Sequence, residues 1–464
     1  MGNISTYESY VFNNYFGIDL PEHWDEKRLG YLASNEKNAF VDGPFGSDLK
    51  TNDYKEDGIP LIQLNNIRDG KHILRNFKYV TEQKKNELSR HIARPRDIVL
   101  AKMAEPVARS AIVSGQFDEY VIVADCVKMT PDSQKIDLNF LNWAINSEVV
   151  KTQAELVSTG TTRIRISLGE LKKLKVPYPS HGEQTQIANF LDHETAKIDT
   201  LIEKQQQLIK LLKEKRQAVI SHAVTKGLNP QAPMKDSGVE WLGEVPEHWD
   251  SCLIKYKCSE ITDGAHISPE TNGGEYYFVS IRDIKDGVIN FEEALLTSPK
   301  SYQYLVKTGC LPFEGDILFS KDGTIGQTAI TPQNIEFVVA SSLIIIRPDR
   351  EKVIPEFMDF LLQSAVVKEQ VESFVKGAAL RRLSIQNLLK VFGVFPPIDE
   401  QMLIAEFIQK QQSKYRELEC KAIAQVELLK ERRTALISAA VTGKIDVRNW
   451  QAPISQNQAL EQTA

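Results

Sequence analysis

Two long segments of the chain carry apolar residues at alternating spacings of three and four. The first covers residues 183–225 and the second residues 400–442, and a glycine ends each of them, Gly227 and Gly443. This heptad-like pattern predicts two long helices. An apolar stripe often packs against its own domain, but two matched stripes in one chain favour pairing between the helices. The predicted seam consists of Ile198, Leu201, Leu208, Leu212, Val219, Tyr415, Leu418, Ala422, Leu429 and Leu436.

The rest of the chain has short apolar runs separated by turn signals such as Asp69-Gly70 and Asp286-Gly287. Two segments with a helical pattern, 139–156 and 355–375, follow these runs. The predicted strands lie at 59–64, 97–100, 120–123, 276–281, 317–319 and 337–339. We therefore expect an α+β protein with two mixed α/β domains and two long helices that pair with each other.

Several short motifs occur twice and in the same order. The sequence Pro-Glu-His-Trp at residues 21–24 returns at 246–249, and Glu-Gln at 183–184 returns at 400–401. The period of about 220 residues is far longer than the roughly 20–50 residues of a solenoid unit. The pattern therefore predicts a duplicated domain with a duplicated helix, and a function that is performed at two related sites.

The repeat, with a Pro/Gly-rich polar stretch between its copies, divides the chain into six segments. These are a first globular domain at 1–182, a first long helix at 183–226, a linker at 227–238, a second globular domain at 239–399, a second long helix at 400–445 and a mobile C-terminal tail at 446–464.

Charge and cysteine content narrow the class of protein. The net charge of −6 counts mildly against a free-standing nucleic-acid binder, whose surface is usually basic, although it leaves room for local basic loops. The five cysteines are scattered without a CxxC pair, which fits a reducing compartment. No apolar run approaches the roughly 20 residues needed to span a bilayer. We therefore expect a cytoplasmic protein without a disulfide framework.

The motifs of common catalytic sites are absent from the sequence. There is no phosphate-binding GxxxxGK[ST] loop, no HExxH zinc motif, no GxSxG nucleophile elbow and no GxGxxG cofactor loop. No histidines stand at metal-ligand spacing, and a nuclease motif can be assembled only from loose matches among 62 acidic and 56 basic residues. We expect no catalytic residue, no metal site and no cofactor.

Cationic residues recur instead at equivalent places in the two repeats. A lysine ends one predicted strand in each half, and a pair of arginines follows a glycine-led loop about 20 residues before each long helix. A flexible loop with arginines suits a DNA phosphate or a guanine edge, whereas a single such loop would more simply be a surface turn. The candidate DNA-binding residues are Lys102, Arg163, Arg165, Lys321, Arg381 and Arg382.

The doubled order of these motifs resembles the DNA specificity subunit of type I restriction–modification systems. The segment Thr159–Ser167, the Pro-Tyr-Pro at 177–179 and the Glu-Gln that opens the helix carry the resemblance in the first half. Gly377–Ser384, Pro396-Pro397 and the second Glu-Gln carry it in the second half. The similarity extends over residues 18–445, and the repeated order is more specific than any single motif.

The resemblance implies that each globular part is a target recognition domain that reads one half of a split site in double-stranded DNA. The two helices would pack as an antiparallel coiled coil, so that the chain is an internal pseudo-two-fold repeat. The helices would set the gap between the half-sites and dock two modification (methyltransferase) subunits, which restriction (motor and nuclease) subunits would join. The chain itself would then be non-catalytic. Base-contacting residues cannot be transferred between the halves, because residues 103–106 and 322–325 differ completely. The alternatives are a coiled-coil scaffold that binds only proteins, which would not need the cationic loops, and a fused enzyme subunit, which the missing motifs disfavour.

Overall fold

The computed structural model of the protein describes residues 5–68, 70–103, 106–160, 164–264, 269–270, 274–285, 287–375 and 381–452. The chain forms two compact units. Unit 1 contains residues 1–205 and 425–464, and unit 2 contains residues 206–424. Each unit combines one globular domain with parts of both long helices.

The domain of unit 1 is built on two four-stranded sheets. The antiparallel central sheet has the strand order Ser110–Ile112, Ile98–Ala101, Cys126–Met129, Phe40–Asp42. The second sheet has the order Tyr79–Val80, Ile59–Ile62, Tyr120–Ile122, Ile92–Ala93, and its two inner strands are parallel. Three strand pairs flank the sheets: Tyr10–Asn13 with Ile18–Pro21, Asp25–Arg28 with Lys175–Tyr178, and Ile67–Arg68 with Lys71–His72. The short helices are Leu29–Leu32, Thr51–Asp53, Leu64–Asn66, Glu82–Glu87, Ser89–His91, Leu138–Ile145, Glu148–Leu156 and Leu168–Lys173.

The domain of unit 2 repeats this plan. Its central sheet has the order Cys258–Asp263, Leu343–Pro348, Ile317–Ser320, Thr328–Ile330. A three-stranded sheet has the order Leu295–Thr297, Tyr276–Val279, Phe337–Val339, with the last two strands parallel. The flanking pairs are Met234–Asp236 with Glu244–Pro246, Asp250–Leu253 with Phe392–Phe395, and Ile284–Lys285 with Val288–Ile289. The short helices are Ile254–Lys257, Ile281–Asp283, Pro299–Lys307, Pro355–Gln363, Ala365–Phe374 and Ile385–Leu388.

The central strands are continuously apolar because both of their faces are covered. In the strand Ile98–Ala101, Ile98 and Leu100 face the core that contains the helices, whereas Val99 faces a second core under the other sheet. Ile317 and Leu318 divide between two cores in the same way in unit 2. A strand with both faces buried reads as a run of apolar residues rather than as an alternation, which explains why the sequence marks these strands so clearly.

The two long helices are His181–Lys226, with 46 residues, and Ile398–Val441, with 44 residues. In unit 1, Phe190 near the start of the first helix shares a core with Ile437 near the end of the second. In unit 2, Ile220 near the end of the first helix shares a core with Ile404 near the start of the second. The start of each helix therefore packs beside the end of the other, which confirms the antiparallel arrangement.

The seam between the helices departs from the predicted one at three leucines. Ile198, Ala422 and Leu429 are buried, and Leu212, Val219, Tyr415 and Leu436 are half-buried, as a seam requires. Leu201, Leu208 and Leu418 are 48%, 43% and 40% exposed, so their assignment to the seam was wrong.

The sequence offers two adjacent apolar residues at two of these places. The half-buried Ile202 and Ile209 take the seam positions instead of Leu201 and Leu208. At the third place the seam position is Glu419, whose Oε1 lies 3.1 Å from Nζ of Lys213. A pattern of apolar residues cannot mark a seam position that is occupied by a charged residue.

Two further sequence expectations need correction. The predicted linker 227–238 includes the strand Met234–Asp236, which is part of a hairpin. The predicted mobile tail begins with a packed segment. The amide of Asp446 donates to the carbonyl of Ser5 at 2.7 Å, and Val447 is buried. The Trp450 ring lies edge-on against Phe190 with a centroid distance of 5.4 Å. Residues 453–464 lie outside the described residues.

Candidate nucleic-acid interface

The lysine and the arginine loop of the first domain lie side by side. Lys102 follows the central strand Ile98–Ala101, and its carbonyl accepts a hydrogen bond of 2.9 Å from the amide of Ile166. Arg165 exchanges two backbone hydrogen bonds of 2.9 Å with Thr159. Arg163 lies outside the described residues.

The second domain has the same arrangement at the matching positions. The carbonyl of Lys321 accepts a hydrogen bond of 2.9 Å from the amide of Leu383. Next to it, Asp322 and Arg382 form an isolated antiparallel bridge, and Nε of Arg382 lies 3.0 Å from Oδ1 of Asp322. Each domain therefore ends its central strand beside its own arginine loop.

Each of the two lysines forms an ion pair with an aspartate of its own domain. Nζ of Lys102 lies 3.2 Å from Oδ2 of Asp42, and the ammonium of Lys321, a residue only 4% exposed, is paired with Asp263. The two aspartates occupy equivalent places. Asp42 ends the strand that pairs with Cys126–Met129, and Asp263 ends the strand that pairs with Leu343–Pro348. This placement favours a role for the lysines in holding the strand ends together, below the surface that the arginines present.

The described arginines lie at the surface, with about half of each side chain exposed. Arg165 pairs with Asp125, Arg381 pairs with Glu372, and Arg382 pairs with Asp322. Exposed ion pairs of this kind contribute about 0–1 kcal/mol each. The guanidinium groups can therefore exchange an internal carboxylate for a phosphate oxygen at little cost, and the planar fork suits either a phosphate or a guanine edge.

The most strongly repeated motif anchors the long helices. His23 and Trp24 donate from their ring nitrogens to Oε1 of Glu183 at 2.9 and 3.4 Å. Burial opposes the ionisation of Glu183, but hydrogen bonds from His23 and Ser180 lower the pKa of its carboxyl below the usual value. Ser180 and Glu183 also form a capping box, since the Ser180 amide donates to Oε2 at 3.2 Å and the Glu183 amide donates to the Ser180 hydroxyl at 3.4 Å.

Unit 2 repeats this anchor with His248, Trp249 and Glu400. The two ring nitrogens lie 2.8 and 3.1 Å from Oε2 of Glu400. The glutamine that follows each glutamate makes the same kind of hydrogen bond in both units. Oε1 of Gln184 accepts from the amide of Asp137 at 2.8 Å, and Oε1 of Gln401 accepts from the amide of Ile354 at 3.0 Å.

The end of the other helix packs against the same anchor. A Cβ added at Gly443 would lie 2.4 Å from Cγ of Pro21, and one added at Gly227 would lie 3.3 Å from Cζ2 of Trp249. Both glycines have a positive φ, +70° and +77°. The motif repeats in the sequence therefore mark the two places where a domain meets both helices. The repetition was the signal, but nothing in the sequence said that the repeated residues touch each other.

The described part of the chain contains no group of three or more His, Cys, Asp or Glu side chains arranged to hold a metal ion. None of its helices is long and apolar enough to cross a membrane.

The known proteins to which this chain is similar all belong to one family. The profile of the family described as "Type I restriction modification DNA specificity domain" matches residues 21–211 and 256–428. The type I restriction enzyme MjaVIII specificity subunit of Methanocaldococcus jannaschii is 23% identical, with 96% of this chain and 98% of that protein aligned. The type I restriction enzyme EcoKI specificity subunit of Escherichia coli K12 is 23% identical, with 84% of this chain and 82% of that protein aligned.

One solved structure has the same fold. It is described as "Structural basis underlying complex assembly and conformational transition of the type I R-M system", and the match has a TM-score of 0.68 at 15% identity. The alignment covers 91% of this chain and 99% of that chain.

Proposed function

The chain belongs to the family of type I restriction–modification DNA specificity subunits, and we propose that it reads a bipartite DNA sequence, one half with each domain. One observation carries the proposal. Both domains present an arginine loop beside the end of the central strand, held by a backbone hydrogen bond of 2.9 Å in each case. A scaffold that binds only proteins would have no need for two such loops.

The two half-sites differ in sequence. The frame of the loops is the same, but the groups around the arginines are not, because Arg165 faces Met103 and pairs with Asp125, whereas Arg382 faces and pairs with Asp322. Base edges are read by individual side chains, so readers with different side chains select different bases. A symmetric dimer would read a palindrome, and one chain with two diverged domains reads an asymmetric site.

The chain is the recognition subunit, and the chemistry is performed by its partners. Modification subunits methylate the site and restriction subunits cleave the DNA, in a complex with this chain. Two modification subunits dock on the long helices, which occur once in each half of the repeat. The partners also supply much of the phosphate contact, which a chain with a net charge of −6 does not provide alone.

The long helices set the length of the unread gap between the half-sites. Each helix is continuous, over 46 and 44 residues, and each contributes to both units. An α-helix has a fixed rise of 1.5 Å per residue, so a pair of them is a spacer of defined length.

Exchange of one domain tests the two-reader proposal. Residues 18–180 are replaced by the corresponding domain of another family member, and the methylated sites are mapped in cells that contain the modification subunit. We expect one half-site to change while the other half and the gap are retained. A change in both halves at once would contradict the proposal, and so would no change in either.

A further inference from the structure

An exposed phenylalanine stands at the start of a tight turn in the domain of unit 1. Phe45 is 77% exposed, more than any other aromatic residue that the structure describes. Its carbonyl accepts a hydrogen bond of 2.9 Å from the amide of Asp48, which closes the turn 45–48. A single exposed apolar residue is common on protein surfaces, so its meaning depends on how the ring is held and on what lies beside it.

Both ends of this turn are fixed to the domain. Pro44 before it and Leu49 after it are buried, and Leu49 packs in a core of the second sheet. Gly43 lies against the neighbouring backbone, since an added Cβ would be 1.9 Å from the carbonyl oxygen of Val123. Between these fixed points all four residues of the turn are exposed. The fold therefore holds the phenyl ring in solvent and does not leave it on a loop that is free to fold back.

The turn lies beside the arginine loop of its own domain. It follows Asp42, whose Oδ2 lies 3.2 Å from Nζ of Lys102. Pro44 and Asp125 line one cavity of about 460 Å³, and Asp125 is the ion-pair partner of Arg165. The phenyl ring and the guanidinium group of Arg165 therefore adjoin the same cavity.

The turn carries one charged side chain, the carboxylate of Asp48. A hydrogen bond with Glu87 raises the pKa of Lys84, and the charges of Asp53 and Asp48 raise it further. Asp48 therefore lies near a lysine of its own domain. The turn itself offers an approaching duplex an apolar ring and no cation, so its contribution to binding does not depend on phosphate contacts.

Unit 2 keeps the frame of this turn but not the phenylalanine. Gly264 takes the place of Gly43, because a Cβ added there would also lie close to a backbone carbonyl oxygen, at 2.2 Å. Two residues further on, the sequence has His266 in the place of Phe45. Residues 265–268 lie outside the described residues. A contact made by the phenyl ring therefore belongs to the first half-site, and the second half-site provides an internal control.

We propose that Phe45 inserts between two neighbouring base pairs of the first half-site and unstacks them. Apolar side chains, phenylalanine among them, act as wedges of this kind in DNA-binding proteins. The proposal rests on the function proposed above, which brings a duplex to the surface of Arg165. Gly46 follows the ring without a side chain of its own, which lets the duplex approach closely. Pyrimidine–purine steps unstack most easily, so the wedge favours such a step and adds to specificity without a hydrogen bond to a base.

The fluorescence of 2-aminopurine tests the proposal in the assembled complex, because this base is quenched in the stack and brightens when it is unstacked. The analogue is placed at one position at a time in a duplex that carries the mapped site, and the complex is added to saturation. We expect one position of the first half-site to brighten with the wild-type complex and with Phe45→Leu, which keeps an apolar wedge, and to stay dark with Phe45→Ala. A methyltransferase unstacks its own target base, and that signal should remain in all three complexes.

The affinity for DNA provides a second readout with a matched control. Phe45→Ala should weaken binding by about fivefold or more, which is the lower end of the effect of a base–aromatic stack. The salt slope should keep its wild-type value, because no charge is removed. Phe12→Ala is the control, since Phe12 is also exposed but lies on the hairpin that precedes the anchor. We expect Phe12→Ala to change neither the fluorescence nor the affinity.

If no position of the first half-site loses its fluorescence in Phe45→Ala, or if Phe12→Ala has the same effect as Phe45→Ala, the wedge proposal is overturned. If Phe45→Ala weakens binding of the modification subunit while the fluorescence and the affinity for DNA stay at their wild-type values, the ring contacts that subunit, and this result also overturns the proposal. Failure of the wild-type complex to prefer its mapped site over random DNA would instead overturn the proposed function.

Discussion

Replacement of Asp359 by asparagine should stabilise unit 2 in a pH-dependent way. Asp359 lies on the helix Pro355–Gln363, and it is buried. Its Oδ1 has no hydrogen-bond partner among the described residues, while Oδ2 accepts from Gln363. Burial raises the pKa of this carboxyl from 3.8 to about 6, against hydrogen bonds from Thr328 and Gln363 that lower it. The repeat counterpart in unit 1 is Asn142, which is neutral and donates to the carbonyl of Gly70 at 2.9 Å.

The size of the effect follows from the pKa difference. A pKa difference of one corresponds to about 1.36 kcal/mol. The rise of about two in the pKa of Asp359 therefore destabilises the folded state by roughly 3 kcal/mol once the carboxyl is ionised in both the folded and the unfolded state. Because the folded pKa of Asp359 is the higher one, the native state binds the proton more tightly between about pH 4 and pH 6. The wild-type protein therefore loses stability as the pH rises through this window, and Asp359→Asn does not.

The free energy of opening of the buried strand Leu343–Pro348, measured by native-state hydrogen exchange, reports on unit 2 alone. At pH 8 we expect Asp359→Asn to raise it by roughly 1–3 kcal/mol, below the full value because the amide must still satisfy its own hydrogen bonds. The gain should shrink as the pH falls and vanish near pH 4. The reciprocal variant Asn142→Asp should destabilise unit 1 over the same range. A gain that is independent of pH, or a loss at pH 8, would refute the reasoning.

Four further outcomes are expected. Arg165→Ala and Arg382→Ala should each weaken DNA binding by the complex. If the arginine reads a base, binding should weaken by roughly 1–3 kcal/mol and specificity should relax at one position of one half-site; if it contacts a phosphate, the salt slope should fall by about one. Unchanged affinity and specificity in both variants would exclude these loops from the interface. Gly443→Ala should lower the stability of unit 1 by about 1–3 kcal/mol in thermal unfolding, because the new Cβ meets Pro21 at a positive φ. Insertion of four residues after Leu212 adds about 6 Å of helix and should widen the mapped gap by one or two base pairs, since a base pair occupies about 3.4 Å; an active complex with an unaltered gap would show that the helices do not set the spacing. The purified chain alone should transfer no label from a radioactive methyl donor to DNA, and incorporation above background without a co-purified partner would contradict this.

The elements of the fold were predictable where local pattern and burial agree. The strand Ile98–Ala101 is apolar throughout because two cores cover it, and the glycines that end the helices are required by backbone conformation. The seam was less predictable, because Leu201 and Ile202 are both apolar and only the packing of the partner helix selects between them.

The site was predictable as a repeated pattern but not as a set of contacts. Nothing near Lys321 in the sequence indicates that Asp263 neutralises it, because the two residues are brought together by sheet pairing between distant strands. The anchor of His23 and Trp24 on Glu183 is likewise a long-range contact. Repetition identified these residues as important, and only the three-dimensional structure distinguished those that hold the frame from those that face the surface.

The central claim, that one chain reads two different half-sites, is tested most directly by mapping methylated bases in DNA from cells that contain this chain with its modification subunit. The account predicts one bipartite site with two unlike half-sites and an unread gap of constant length. A continuous or palindromic site, or methylation that does not depend on this chain, would contradict it.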